Sequence, residues 1–113
     1  MHIDLKGKTA VVTASTAGIG LAIAEGLARA GARVVVNGRS DASVQSALAQ
    51  LRAAVPGASF DGVAADLSDA AGVARVTQHT PDADILVNNA GIYGLKAFFD
   101  IDDAEWEHYF QMN

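Results

Sequence analysis

The 113-residue sequence predicts an α/β fold, a doubly wound parallel sheet, and three observations carry that prediction. Short runs of strand character, Thr9-Ala10-Val11-Val12, Ala32-Arg33-Val34-Val35-Val36, Ser59 to Ala65 and Ala83 to Asn88, alternate with stretches of helical periodicity. The first run is short and β-branched, which suits a strand buried on both faces, and a helix between successive strands imposes right-handed crossovers and parallel neighbours. Finally, the first run leads into Thr13-Ala14-Ser15-Thr16-Ala17-Gly18-Ile19-Gly20, a turn built almost wholly of small residues.

Taken in order, Met1 to Lys8 is a lead-in, with Ile3 and Leu5 alternating with Asp4 and Lys6 before Gly7-Lys8 turns into the first strand. A helix begins near Gly18, because Ile19, Ile23 and Leu27 recur every four residues with Ala22, Ala24, Ala28 and Ala30 around them. Ala30-Gly31 stops it, since glycine adopts the left-handed conformation cheaply. After the second strand, Ser40 or Asp41 caps a helix whose Val44, Leu48, Leu51 and Val55 share one face, and Pro56-Gly57 ends it. The third strand is poorer in β-branched residues and broken by Gly62. Asp66-Leu67-Ser68-Asp69 opens a helix to Gln78 that carries Val73 and Val76 inward, and Thr80-Pro81-Asp82 turns into the fourth strand. Ile92 to Phe99 reads as a loop with one helical turn. Asp102 and Glu105 resemble a capping box that opens a last helix through Trp106, Tyr109, Phe110 and Met112.

Composition removes several classes of function. Half the residues are apolar and 19% are charged. No apolar run reaches the ~18 residues of a membrane span. A net charge of −5 argues against nucleic acid and anionic membrane surfaces as main partners. Zero cysteines exclude disulfides and thiolate metal sites. His2, His79 and His108 lie far apart without ligand spacing, so no metal site is expected. With no cysteine and no cationic, apolar signal segment opening the sequence, a cytoplasmic location is the default expectation.

The chemistry centres on the small-residue turn. A helix N-terminus presents unpaired N–H groups and about half a positive charge, and side chains this small let a pyrophosphate approach them. Gly18 and Gly20 alone would mark any tight turn; the strand ahead and the helix behind make them a nucleotide signal. Thr13 reads equally as strand packing or as a loop anchor. At the end of the second strand, no acidic residue stands ready to accept the 2′-hydroxyl of NAD. Gly38 leaves space there instead, and Arg39, otherwise a solvated surface charge, offers a fork for the 2′-phosphate of NADP, with Asn37 and Ser40 adding hydrogen bonds. NADP is therefore preferred and NAD is second. Asp66 competes with Ser68 and Asp69 for the cap of the third helix.

Together with Asn88-Asn89-Ala90-Gly91 after the fourth strand, these residues resemble the short-chain dehydrogenase/reductase family. Its N-terminal half carries Thr-Gly-x-x-x-Gly-x-Gly, an Asp after the third strand and Asn-Asn-Ala-Gly after the fourth. The likeness covers all 113 residues, and the motifs match in order and spacing. Ala14 departs from it, standing where the family has glycine; the added methyl is tolerable at negative φ and costs cofactor affinity otherwise.

The resemblance implies a Rossmann-type fold of which the first four strands are present. It implies that Thr13, Ser15, Thr16, Gly18, Ile19 and Gly20 form the cofactor loop, and that Asp66 accepts from the adenine amino group while the Leu67 N–H reaches the ring. Asn89, Ala90 and Gly91 then brace the sheet and flank the cofactor ribose, and Asn113 is the catalytic Asn that holds a water in the proton relay. The implied activity is hydride transfer between a nicotinamide and a small carbonyl or alcohol substrate, in a homo-oligomer, dimer or tetramer.

The family's Ser and Tyr-x-x-x-Lys are not recognisable in these residues. Tyr93 and Lys96 are spaced by three across Gly94, not by four on a helix, and are not that pair. Two readings of different class stand. In one, residues 1–113 are the N-terminal part of a single NAD(P)-binding domain, inactive alone, whose chemistry lies beyond Asn113 in a chain about twice as long. In the other, they are a non-catalytic dinucleotide-binding fragment or sensor. On the first reading a later strand pairs with the fourth, and in residues 1–113 alone Ile85, Leu86 and Val87 would stand on an uncovered edge prone to association.

Overall fold

Side-chain alternation along the strands sorts the core into two layers. The computed structural model describes residues 2–91 and 96–112. Strands β1 (Thr9–Val12), β2 (Arg33–Gly38), β3 (Phe60–Ala64) and β4 (Ile85–Val87) form one parallel sheet in the order β3-β2-β1-β4. This is the α/β, Rossmann-type parallel sheet expected. Ala10, Val12, Val34 and Val36 face helices α1 (Gly18–Arg29) and α2 (Asp41–Ala54), while Val11, Val35 and Val63 face α3 (Ala70–His79). Val12, Val34, Val35 and Val36 are fully buried, each contributing about 1.5–3 kcal/mol of apolar burial. β1 is thus paired on both sides, and the strand sequence leaves it in two directions, toward β2 and toward β4.

The helices depart from the sequence expectation where close approach decides the packing. In α1 the buried stripe is Gly20, Ala24 and Ala28, with Leu21, Ile23 and Leu27 flanking it, so Ile19 points away and is 74% exposed. Small residues form the contact because α1 crosses the sheet at short range; a β-carbon on Gly20 would lie 2.4 Å from the Ala14 carbonyl oxygen. α2 begins where Ser40 caps it, the Ser40 hydroxyl accepting from the Ser43 N–H at 3.2 Å, and it buries Val44, Ala47, Leu48 and Leu51. Gly62 does not break β3. It pairs in register with Val36 and lets Val44 sit where its own β-carbon would be.

α3 starts later than expected. Its cap is Asp69, which accepts from the Gly72 N–H at 2.7 Å, and its inward residues are Gly72 and Val76, leaving Val73 exposed. Beyond β4, a 3₁₀ turn covers Phe98–Asp100 and α4 runs over Asp103–Met112. Asp102 accepts from the Glu105 N–H at 2.8 Å, but the Glu105 carboxylate pairs with Lys96 in place of closing the box. Leu86 on β4 and Phe98, Phe99, Trp106 and Phe110 remain exposed. Tyr93 lies outside the described residues.

Gly72 shows how tightly α3 meets the strand end. A β-carbon there would fall 1.7 Å from the Asp66 carbonyl oxygen. Gly72→Ala is therefore expected to lower the unfolding free energy by about 1–3 kcal/mol in a denaturant titration, although alanine is the better helix former. Unchanged stability would mean that α3 does not rest on Asp66.

Candidate functional site

The loop from β1 to α1 is held by hydrogen bonds to the ends of both neighbouring strands. On the β4 side, the Thr13 hydroxyl donates to the Val87 carbonyl at 3.3 Å and accepts the backbone N–H groups of Asn89 and Ala90, each at 2.9 Å. The Asn89 amide donates to the carbonyls of Thr13 and Ala14 at 3.3 and 3.1 Å. Thr13 is both strand packing and anchor, 7% exposed. On the β2 side, the buried Ser15 hydroxyl donates to the Val12 carbonyl at 2.7 Å and accepts the Asn37 N–H at 2.9 Å, while the Ser15 N–H donates to the Asn37 carbonyl at 2.8 Å.

Asn37 is buried as well. Its amide donates to the Val63 and Ala65 carbonyls at 3.2 and 3.3 Å, and its Oδ1 accepts the Ala14 N–H at 3.1 Å. The sequence placed Asn37 and Ser15 among cofactor ligands; the structure engages their polar side-chain atoms within the loop and sheet. That role depends on burial, which no local spacing signals. Gly38 also differs from expectation, because the room it leaves is filled by Thr16 Cγ2, 2.5 Å from where a β-carbon would be.

The cleft beyond this framework has a volume of about 270 Å³ and opens at the C-terminal ends of the strands. Ala14, Thr16 and Ala17 of the loop, Gly38 and Arg39 after β2, Asp66 and Leu67 after β3, and Ala90 and Gly91 after β4 line it. The N-terminus of α1 borders it through Thr16 and the cap residue Ala17. Ala17 is the N-cap and has no side-chain acceptor, the first turn has no acidic residue, and among the described residues the N–H groups of Thr16 to Gly20 meet no acceptor. Gly18 has φ +58° with no atom within 4 Å of a would-be β-carbon, so the space beside these donors is open.

Charge is divided across the cleft. The Ser68 hydroxyl and N–H donate to Asp66 Oδ1 at 2.7 and 2.9 Å, and these bonds, helped by the Arg39 charge, hold the Asp66 carboxyl below the usual carboxylate range. Asp66 is therefore not the cap of α3 but an exposed carboxylate anchored by one oxygen. Arg39 lines the same cleft and, among the described residues, forms no ion pair. Ser40 stands beside it as the cap of α2. Asn113 lies outside the described residues. No group of three His, Cys, Asp or Glu side chains among the described residues is placed to hold a metal.

A parallel sheet whose strand order reverses at β1, with an open helix N-terminus at that point, defines a nucleotide-binding α/β fold. Residues 8–113 match the family model for short chain dehydrogenases, and the chain belongs to that family. It is 43% identical over 113 residues to an uncharacterized oxidoreductase, YvaG, of Bacillus subtilis, covering 100% of this chain and 43% of the relative. It is 42% identical to D-beta-hydroxybutyrate dehydrogenase of Cupriavidus necator, covering 96% of this chain and 43% of that protein. Among solved structures, L-sorbose reductase from Gluconobacter frateurii, complexed with NADPH and L-sorbose, superposes with a TM-score of 0.91 at 36% identity, over 99% of this chain and 44% of that one. The chain thus spans less than half the length of these relatives.

Since three hydrogen bonds converge on one hydroxyl, Thr13→Val should leave two backbone N–H groups without their acceptor. The expected loss is about 1–3 kcal/mol per unsatisfied group, with Thr13→Ser close to the parent in urea unfolding. A loss in Thr13→Ser with Thr13→Val unchanged would assign the effect to packing of the methyl group.

Proposed function

We propose that these residues are the cofactor-binding half of an oxidoreductase that transfers a hydride between NADP(H) and a carbonyl or alcohol substrate. The observation that carries the reading is the α1 N-terminus, left without a side-chain acceptor and facing an open cleft, while Ser40 and Asp69 cap α2 and α3. A pyrophosphate fits that donor set, because it brings the acceptors and negative charge the helix end lacks. In this reading the N–H groups of Thr16, Gly18, Ile19 and Gly20 bind the pyrophosphate. Thr13, Ser15 and Asn37 keep the loop in shape. Asp66 accepts from the adenine amino group and the Leu67 N–H meets the ring, and Asn89, Ala90 and Gly91 flank the ribose.

Bound NADPH supplies the hydride. The chain's own part here is to orient the dinucleotide along the strand ends. Arg39 favours NADP over NAD, since a guanidinium at this edge offers a charge-assisted fork to a 2′-phosphate, with the Ser40 hydroxyl beside it. The relative complexed with NADPH supports the same choice. Asn113 serves the proton relay, and the Ser and Tyr-x-x-x-Lys of the reaction lie outside residues 1–113. The protein acts as a small cytoplasmic homo-oligomer on a small-molecule substrate.

The cofactor assignment is tested by titrating the full chain with NADPH and NADH. Arg39→Ala should weaken NADPH binding by about 1.5–3 kcal/mol and leave NADH nearly unchanged, erasing the preference. An equal loss for both cofactors would contradict the role of Arg39, and binding without turnover of any carbonyl would favour a binding-only protein.

A further inference from the structure

Ala14 is the single non-glycine among the described residues with a positive φ, at +50°. An L-residue with a β-carbon resists that conformation, and it persists only where the surroundings over-determine it. Here they do so from both sides. Ahead of Ala14, its N–H donates to Asn37 Oδ1 at 3.1 Å, and the Asn37 amide is itself pinned by the Val63 and Ala65 carbonyls. Behind it, the Ala14 carbonyl accepts the Asn89 amide at 3.1 Å. Gly20 approaches that carbonyl so closely that a β-carbon there would lie 2.4 Å from it, which denies the peptide room to flip. Ala14 itself lines the cleft beside Thr16 and Ala17.

We propose that Asn37 and Asn89 are positioning residues that clamp Ala14 in the left-handed conformation, and that through this clamp they set the mouth of the phosphate cradle. The two asparagines come from the ends of β2 and β4, so the clamp couples the geometry of the loop to the spacing of the strands on either side of β1. A glycine at position 14 would hold the same conformation unaided. With alanine there, the loop depends on both side chains. The part of the proposal that concerns affinity rests on the cofactor reading above; the conformational part does not.

The test uses the full chain labelled with ¹³C-alanine, in which the one-bond Cα–Hα coupling of Ala14 reports the sign of φ without any ligand. The coupling should have its left-handed value in the parent and move toward the right-handed value in Asn89→Ala and in Asn37→Ser. NADPH dissociation constants should rise about tenfold in Asn89→Ala, the effect of one lost hydrogen bond, while adding Ala14→Gly to that variant restores most of the loss. If Asn89→Ala fails to fold, recovery of folding by Ala14→Gly supports the clamp, and failure of the double variant overturns it. An unchanged coupling in both asparagine variants, or an equal loss of affinity with alanine and glycine at position 14, also overturns it. Should no form bind NADPH, the cofactor reading falls and the coupling alone decides the clamp.

Discussion

The cleft depends on one knot of hydrogen bonds that ties the ends of β1, β2 and β4 to a single loop. Thr13 faces β4, Ser15 meets Asn37 of β2, and Asn89 reaches back across the loop. Among the described residues no buried side-chain nitrogen or oxygen lacks a partner, so the buried side chains of the loop are satisfied from within. What this inward bonding leaves over is the backbone of Thr16 to Gly20. With an alanine as N-cap, the helix end has no oxygen of its own to accept those donors.

That arrangement gives the two ends of the sheet different electrostatic character. At the N-terminal end of the strands, helix C-termini are answered locally: Arg29 lies in the last turn of α1 and donates to the Ala54 carbonyl at the end of α2 at 3.2 Å. At the C-terminal end, the positive end of α1 is unanswered. An uncapped helix start costs about 1 kcal/mol, and left-handed Ala14 costs roughly 1–2 kcal/mol more. Burial of Val12, Val34, Val35 and Val36, at about 1.5–3 kcal/mol each, is large enough to carry both. The strain is concentrated at the functional end of a sheet whose core is conventional.

Much of this was legible in the sequence, for identifiable reasons. Strand identity and parallel pairing followed from short apolar runs separated by helical stretches, the start of α1 at Gly18 followed from local chemistry, and the cap of α2 was narrowed to Ser40 or Asp41. The residues that misled are those whose role is set across the fold. Ile19 fits a four-residue period, yet the close packing of Gly20 against Ala14 turns the helix so that alanines face the sheet. Val73 fails similarly, because Gly72 is the residue that touches Asp66. Asn37, read from the sequence as a ligand, does line the cleft, and what the sequence did not signal is that its side chain also braces Val63, Ala65 and Ala14. The departure at Ala14 was visible in the sequence; its φ was not.

The central claim is the proposal that the α1 N-terminus receives the pyrophosphate of the cofactor. Amide hydrogen exchange of the full chain, with and without saturating NADPH, tests this most directly, because it reads the backbone donors themselves. The account predicts slowed exchange at Thr16 to Gly20, with smaller changes at Arg39, Leu67 and Ala90. Protection confined to the opposite end of the sheet, around Lys8, Gly31 and Gly57, or exchange at Thr16 to Gly20 unchanged by a bound dinucleotide, would contradict it.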